Sequence, residues 1–473
     1  MRSPRFLLIA GVAILLSLLS TARPAMAVTF TTDTLIGCND TTYDGEDVVV
    51  DGCVVTIDCA HTFNSLAIIN AGVLTHSSGV AGFDLTITDD LTVDSGGSIS
   101  ANGKGYGERS GPGAGGSTVA LYAGAGGGGY GGRGGVGNQG VSGGSPYGSV
   151  TEPVNMGSGG GRHTYHDQAG GAGGGALVLT VNGTLQVEGS VTANGADGSC
   201  CRGGGGSGGS IYVTASALAG QGTISANGGN GHTLGGGGGG GRIAIYYDAD
   251  TFTGSMSACG GSGYQYGGGG IIFRKSSSQT WGDLLVTNCG NSGANSTLPT
   301  GTYTFDTVEV IDKGKLEIPT DVTLTMGPEV LTIAEEGEMR IAGQLIGGGG
   351  SGFTSAEVIS GGDLRLMGDA QLACTDVRVS SQGTITVGDS AGFDADIVEV
   401  LDGGTFVLNT AATLPAMHVA SGGVVTHWSG VAGFHLTITD DLTVDSGGSI
   451  SANGKGYGER SGPGAGGSTV ALY

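Results

Sequence analysis

The segment from Arg162 to Asp167 holds the densest group of side chains that could do chemistry. Within it, His163, His166 and Asp167 offer two imidazoles and a carboxylate, which divalent transition metals accept as ligands. A helix would present both rings on one face, but the glycines around this segment are not a helical context. The pattern therefore favours polar side chains on a solvated loop over a metal site, and no cofactor is expected.

Four pairs of acidic residues could in principle bind calcium or act in acid–base catalysis. Each pair falls at a predicted turn between strands, and the motifs of pectate lyases and polygalacturonases are absent from the sequence. Serine, histidine and cysteine are scattered, so no catalytic triad can be assigned and no catalytic residue is predicted. The pairs are Asp89 with Asp90, Asp440 with Asp441, Asp248 with Asp250, and Asp394 with Asp396.

The composition limits the possible classes of protein. Gly accounts for 103 of 473 residues, yet it does not recur at every third position and there are only 10 Pro, which excludes collagen. Charged residues make up 12% of the chain and the mean hydropathy is +0.13, so apolar surface can still be buried. The net charge of −23 opposes binding to phosphate backbones, and nucleic acid is not an expected partner.

The N-terminus predicts export. Residues 1–27 contain Arg2 and Arg5, an apolar run over residues 6–19 and the small residues Ala25 and Ala27 around Met26. This is the pattern of a cleaved secretory signal peptide, and the apolar run is too short to span a bilayer. Cleavage leaves 15 cations against 41 anions, so a secreted or surface-exposed, acidic chain with no transmembrane span is expected.

Two repeats organise the remainder. Residues 72–122 recur as residues 423–473 with 48 of 51 positions identical, which predicts a fragment of a longer tandem array. A shorter repeat places glycines between two short runs of alternating apolar residues. These marker glycines fall at 314, 337, 362, 383, 404, 423 and 448.

Alternation with a period of two predicts half-buried strands, and we expect each marker glycine to supply the positive φ of a sharp corner. Strands this short are unstable as isolated hairpins, so a constant spacing near 22 residues predicts stacking between successive units. The predicted fold is all-β, a parallel β-helix (β-solenoid) with long glycine-rich loop insertions. The alternative is a β-sandwich or an array of small all-β domains.

Glycine runs interrupt the middle of the chain, the longest being residues 235–241. We interpret these runs as flexible excursions from one side of the β-helix. The alternative is that they pack as extended polyglycine helices, which have no internal hydrogen bonds and would have to bond laterally to one another.

Asparagine recurs where the second strand of a unit ends, and stacked Asn side chains could form a hydrogen-bonded ladder. The candidates are Asn102, Asn194, Asn227 and Asn453. Cysteine takes this place at Cys259 and Cys289, and stacked neighbours fall within the Cα separation that a disulfide requires. The sequence therefore predicts a Cys259–Cys289 bond, and the even count of eight cysteines in an exported chain favours disulfides over free thiols.

These observations divide the chain into six regions. They are a signal peptide (1–27), N-terminal β-solenoid (28–102), a glycine-rich insertion (103–175), glycine-interrupted β-solenoid (176–300), regular β-solenoid (301–453), and the truncated start of a second glycine-rich block (454–473).

The export signal, the glycine-marked units and blocks ending in Gly241-Arg242-Ile243-Ala244-Ile245-Tyr246-Tyr247 resemble large glycine-rich repetitive bacterial surface proteins of the β-helix adhesin type. The resemblance lies in the repeat pattern and covers most of the mature chain. It implies an exported, non-catalytic structural or adhesive role at a bacterial surface or in an extracellular matrix. Expected partners are extracellular glycans, matrix proteins or further copies of the chain. The alternatives are a carbohydrate-active β-helix enzyme and a binder of ice or polysaccharide surfaces.

Overall fold

The structure is a computed structural model that describes residues 27–80, 82–327, 330–347, 353–431, 433–458, 461 and 463. The predicted signal peptide lies outside the described residues except for Ala27, and so does most of the predicted block 454–473. Within the described part of the chain, no helix is long and apolar enough to cross a membrane.

The largest sheet runs the length of the described chain and contains 21 strands. Its strands are β1 Val28–Phe30, β3 Asp47–Asp51, β5 Cys59–Phe63, β6 Ser65–Ile69, β8 Phe83–Ile87, β9 Leu91–Val93, β11 Ala176–Val187, β13 Ser210–Gly220, β15 Arg242–Phe252, β17 Ile271–Ser276, β18 Asp283–Thr287, β20 Gly301–Phe305, β21 Thr307–Ile311, β23 Val322–Met326, β24 Val330–Ile333, β26 Gln344–Gly347, β27 Phe353–Val358, β29 Gln371–Val379, β31 Gly392–Val400, β33 Ala411–Val419 and β35 His435–Val444.

Two further sheets follow one another along the chain, with seven and eight strands. The seven are β2 Thr34–Ile36, β4 Val54–Ile57, β7 Val73–Thr75, β10 Ser98–Ser100, β12 Ser190–Thr192, β14 Thr223–Ser225 and β16 Ser255–Ser257. The eight are β19 Ser296–Thr297, β22 Lys315–Ile318, β25 Glu338–Ile341, β28 Asp363–Leu366, β30 Thr384–Val387, β32 Thr405–Leu408, β34 Val424–Thr426 and β36 Ser449–Ile450. Two short 3₁₀ turns span Asn138–Gly140 and Cys200–Arg202.

Strand pairing confirms the predicted all-β class, with long parallel sheets. In the described part of the chain, the paired strands are parallel except in one pair: β17 is parallel to β15 on one side and antiparallel to β18 on the other. In the eight-stranded sheet each strand pairs with the equivalent strand of the next sequence unit, so that Leu316 lies beside Met339, then Leu364, then Ile385. This register reproduces the spacing of the marker glycines that precede these strands.

Side-chain alternation explains why the short strands are stable in this arrangement. In β21, Val308 and Val310 are fully buried while Glu309 between them is exposed. Each buried aliphatic side chain contributes about 1.5–3 kcal/mol relative to exposure. Burial of this kind forms two apolar clusters, one centred on strands before β17 and one on strands after it.

The marker glycines have a different role from the one the sequence predicts. The positive φ angles lie on residues before them, such as Asp312 and Lys313 before Gly314. Gly314 itself donates its N–H to Ile311 O at 2.8 Å and closes the turn. A Cβ on Gly314 would overlap the carbonyl oxygen of Val286 on the preceding strand. Close approach between stacked turns, and not a positive φ, therefore requires glycine there.

The glycine runs are not flexible excursions. Residues 203–209 and 235–241 are buried, as is most of the stretch 123–135, and their backbones lie side by side. In residues 203–209 the hydrogen-bond direction repeats every third residue. Gly204, Gly205 and Gly206 donate to Gly161, Gly236 and Ala196, and the next three residues return to the same three neighbouring segments.

A period of three is the period of an extended polyproline-II helix, whose backbone groups point outward in three directions. Residues 124–131 and 235–241 repeat the pattern; Gly236 donates to Ala125 O and Gly239 to Gly128 O, at 2.9 and 2.8 Å. The alternative interpretation, lateral bonding between polyglycine helices, is therefore the one that the structure supports. The prediction that the glycine runs are flexible is wrong because their buried N–H groups find hydrogen-bond acceptors only when the runs pack against one another. We call the three segments 124–131, 203–209 and 235–241 the glycine block.

The glycine block continues directly into the sheet, since Gly241 is followed by β15. Arg242 at this junction is fully buried, and its guanidinium carbon lies 5.6 Å from the centre of the Tyr130 ring. Its Nε donates to Tyr147 O at 3.1 Å. Burial lowers the pKa of Arg242. The aromatic face offsets part of the cost of burying this cation and fixes the glycine block against the strands.

Candidate functional site

The predicted metal candidates lie together in a tight turn, but the ligand atoms of His163 and Asp167 are already in use. His163 is buried; its Nε2 lies 3.0 Å from Ala120 O and its Nδ1 accepts the main-chain N–H of His166 at 3.2 Å. The two imidazole rings stack with centres 4.9 Å apart. Asp167 forms an ion pair with Arg162. His163 therefore organises the turn, and no cluster of metal-ligating side chains exists among the described residues.

The acidic pairs are spread along the molecule and do not meet in one groove. Asp90 accepts the N–H of Thr184 at 2.7 Å and thereby supports a turn. Asp250 forms an ion pair with Arg274, whereas Asp394 and Asp396 are exposed. Asp89, Asp440 and Asp441 are also exposed. Asp89 and Asp90 lie at a turn as predicted, but the expected turn position is wrong for the other three pairs, which lie within β15, β31 and β35 because these strands continue through the acidic residues.

Three of the four predicted asparagines form a ladder, but its hydrogen bonds join a side chain to a main chain and do not join two side chains. The Oδ1 of Asn102 accepts the main-chain N–H of Asn194, and the Oδ1 of Asn194 accepts that of Asn227, each at 2.7 Å. Asn227 continues the ladder to the N–H of Cys259 at 2.7 Å. Each rung joins a side chain to the main chain of the next unit. The exposed Asn453 makes no such bond in the part of the chain that is described.

Removing one asparagine side chain tests whether the ladder stabilises the fold. We expect Asn194→Ala to lower the free energy of unfolding by about 1–2 kcal/mol, because the N–H of Asn227 loses its acceptor in a partly buried position. Asn453→Ala is the matched control, since it alters the same Ala-Asn-Gly motif and should change stability by less than about 0.5 kcal/mol. Denaturant unfolding of both variants measures the difference, and equal effects would contradict the role of the ladder.

Disulfides join half of the cysteines. Cys259 and Cys289 are bonded with Cα atoms 5.9 Å apart, at the place the ladder predicts, and Cys38 is bonded to Cys59 with a Cα separation of 5.1 Å. Cys53 and Cys374 are buried free thiols, and Cys200 and Cys201 are exposed free thiols. Burial raises the pKa of Cys374 to about 12, so this thiol is chemically inert at neutral pH.

A groove on the outer face of β15 was not predicted from the sequence. It is a cavity of about 220 Å³ whose lining includes Tyr247, Asp248 and Lys275. It forms where the parallel register skips one residue: Ala215 pairs with Tyr247 and Ala217 with Ala249, which leaves Ser216 and Asp248 unpaired at a corner. The sequence signal for this groove is Tyr246-Tyr247-Asp248, the end of the block already singled out.

The chemistry of the groove combines an aromatic side chain with charged and hydroxyl groups. The guanidinium carbon of Arg274 lies 5.4 Å from the centre of the Tyr247 ring, on the side of a second cavity of about 200 Å³. Lys275 donates to Thr280 O at 2.7 Å, and Ser277 donates its N–H to Tyr247 O at 2.8 Å. The Lys275 ammonium has two further N–H donors and the Asp248 carboxylate is exposed, so the groove can provide both hydrogen-bond donors and acceptors beside an aromatic ring.

Comparison of the chain with protein-family models, with curated proteins and with solved structures gives no match. The interpretation of the groove and of the glycine block therefore depends on their geometry.

Proposed function

We propose that the protein is an exported, non-catalytic structural or adhesive protein of a bacterial surface or extracellular matrix. The observation that carries the proposal is the stacking of strands along the described chain, parallel except between β17 and β18, with the glycine block bonded into the same stack. Such an arrangement gives stiffness and repeated surface features, which suit a structural element. The acidic pairs are spread along the chain, and Asp90 and Asp250 are held in structural contacts, which supports a role without catalysis.

We further propose that the sheets are the faces of a parallel β-helix. Strands of the two sheets follow one another in each sequence unit: in the order β21, β22, β23, β24, β25, the strands β22 and β25 belong to the eight-stranded sheet and the other three to the 21-stranded sheet. In the eight-stranded sheet each strand pairs with its equivalent in the next sequence unit, as where Leu316 lies beside Met339 and Leu364 beside Ile385, so the chain returns to the same face after every unit. A path of this kind winds a coil that grows along one axis.

The adhesive contact that fits the surface best is a saccharide at the groove beside Tyr247. Sugar rings present C–H faces that pack on an aromatic ring and hydroxyls that need both donors and acceptors, and the groove supplies these from Tyr247, Asp248 and Lys275. A cavity of about 220 Å³ is below the size of typical drug-sized sites, which suits one or two sugar units of a longer chain. Affinity would come from several weak contacts along the stack.

Export agrees with the two disulfides and with the signal-like sequence of residues 1–27. The net charge of −23 keeps such a protein soluble and separate from other anionic surfaces. These features support a proposal of an extracellular location.

Electron microscopy and a glycan array together test the proposal. Purified mature protein should give thin unbranched rods that bind a saccharide without altering it. Tyr247→Ala should weaken that binding about ten-fold or more, as expected for an aromatic anchor. Tyr264→Ala removes a tyrosine that is 58% exposed elsewhere and should leave binding unchanged. Compact particles would refute the structural role, and degradation of a polysaccharide would refute the non-catalytic one.

A further inference from the structure

Cys200 and Cys201 are adjacent in sequence, exposed, and placed with their sulfur atoms 3.4 Å apart. The other two free thiols are buried. The pair lies in the 3₁₀ turn Cys200–Arg202, which leads into residues 203–209 of the glycine block. These are therefore the thiols that an oxidant in solution would reach first.

The turn is held on both sides, which keeps the two thiols together. Ser199 donates its N–H to Ala169 O at 2.9 Å, and Leu234 donates its N–H to Cys201 O at 2.9 Å. Arg202 donates from its guanidinium to Ala123 O at 3.2 Å. With both flanks fixed, each sulfur finds the other more readily than it finds a thiol on another molecule.

We propose that Cys200 and Cys201 form a reversible redox site that closes to a vicinal disulfide by exchange with a small disulfide in the extracellular medium. Closure brings the sulfurs from 3.4 Å to the length of a disulfide bond, about 2.05 Å. The resulting eight-membered ring removes the exposed thiols. The proteins would then pack side by side without covalent cross-links through this turn.

The exchange balances with oxidised glutathione as the oxidant. One cysteine thiolate attacks a glutathione sulfur, which forms a mixed disulfide and releases one glutathione thiolate. The neighbouring thiolate then attacks the protein sulfur of that mixed disulfide and releases the second glutathione. The protein loses two hydrogens as two protons and two electrons, and one glutathione disulfide becomes two thiols.

Intact-protein and peptide mass spectrometry test the site on the full mature chain. After mild reduction and incubation with oxidised glutathione, the wild-type peptide that contains both cysteines should lose two hydrogens, carry no glutathione and resist alkylation. In Cys200→Ser and Cys201→Ser, the single remaining thiol should instead retain one glutathione. A wild-type pair that stays reduced, carries glutathione or links two chains would overturn the proposal.

Exposure also predicts the order of reduction. Because the Cys200–Cys201 bond would lie at the surface, a mild reductant should reopen it before it opens Cys259–Cys289. Circular dichroism of the two serine variants provides the folding control, since both side chains are exposed and their replacement should leave the strand signal unchanged. Reduction of both bonds at the same rate would contradict a reversible role for the pair.

Discussion

Replacing Gly127 by alanine is expected to lower the free energy of unfolding by at least about 3 kcal/mol. Gly127 lies in the middle of the glycine block, where a Cβ would overlap the main-chain carbonyl of Gly237. Main-chain atoms cannot rotate away, so the two segments would have to separate. Separation would lose the bonds that join these segments, from Gly236 N–H to Ala125 O at 2.9 Å and from Gly239 N–H to Gly128 O at 2.8 Å.

The matched control is Gly107→Ala, in the same glycine-rich region. A Cβ on Gly107 meets nothing within 4 Å and its φ lies outside the left-handed region, so we expect a change of less than about 1 kcal/mol. Denaturant unfolding followed by circular dichroism measures both variants. Similar stabilities for Gly127→Ala and wild type would show that residues 124–131 are not packed as described.

The second large effect is expected from removing the Cys259–Cys289 disulfide. The bond joins the end of the seven-stranded sheet, after β16, to the segment that precedes β19 of the eight-stranded sheet. Its sequence separation of 30 residues corresponds to about 3–4 kcal/mol of loop-closure entropy in the unfolded chain. The double variant Cys259→Ser/Cys289→Ser should lose stability by that amount in denaturant unfolding.

Hydrogen exchange shows whether this loss is local to the junction. The N–H of Gly260 donates to Asn288 Oδ1 at 2.8 Å, next to the disulfide, and should exchange faster in the double variant. The control variant Cys38→Ser/Cys59→Ser removes a bond of similar sequence separation at the N-terminal end and should leave Gly260 protected. Unchanged exchange of the Gly260 amide in Cys259→Ser/Cys289→Ser would contradict the inference that this disulfide stabilises the junction between the two sheets.

Local sequence patterns were sufficient to predict the strands. Alternation such as Val308-Glu309-Val310 decides which side chains face the core. The spacing of the marker glycines gives the number of residues between paired strands. The Asn ladder and the Cys259–Cys289 bond were predictable for the same reason, because equivalent positions in successive units lie side by side.

The glycine block could not be predicted in this way. Three consecutive residues of a run donate to three different segments, and which segments these are depends on the folded path; Gly208 donates to Gly239 O, whereas Ser207 donates to Ser158 O. A run of glycine carries no side-chain pattern from which such neighbours could be inferred. The role of Gly314 was mistaken for a related reason, since the carbonyl that it avoids belongs to Val286, 28 residues earlier.

The groove beside Tyr247 and the antiparallel pair β17–β18 also lay beyond sequence patterns. Both arise where regular stacking is interrupted, the groove by a skipped pairing at Asp248 and the pair by a tight return of the chain after Ser276. Repeats predict the regular part of a stack and give no information about its interruptions, and the groove beside Tyr247 lies at one of these interruptions.

Amide hydrogen exchange of the glycine block tests the central claim most directly. Residues 124–131, 203–209 and 235–241 are buried and bonded to neighbouring backbones, so their amides should exchange orders of magnitude more slowly than those of an unstructured glycine chain. The amide of the exposed Gly107 provides the fast reference within the same protein. Exchange of the three buried segments at the rate of Gly107 would show that the glycine runs are flexible and that the block does not exist.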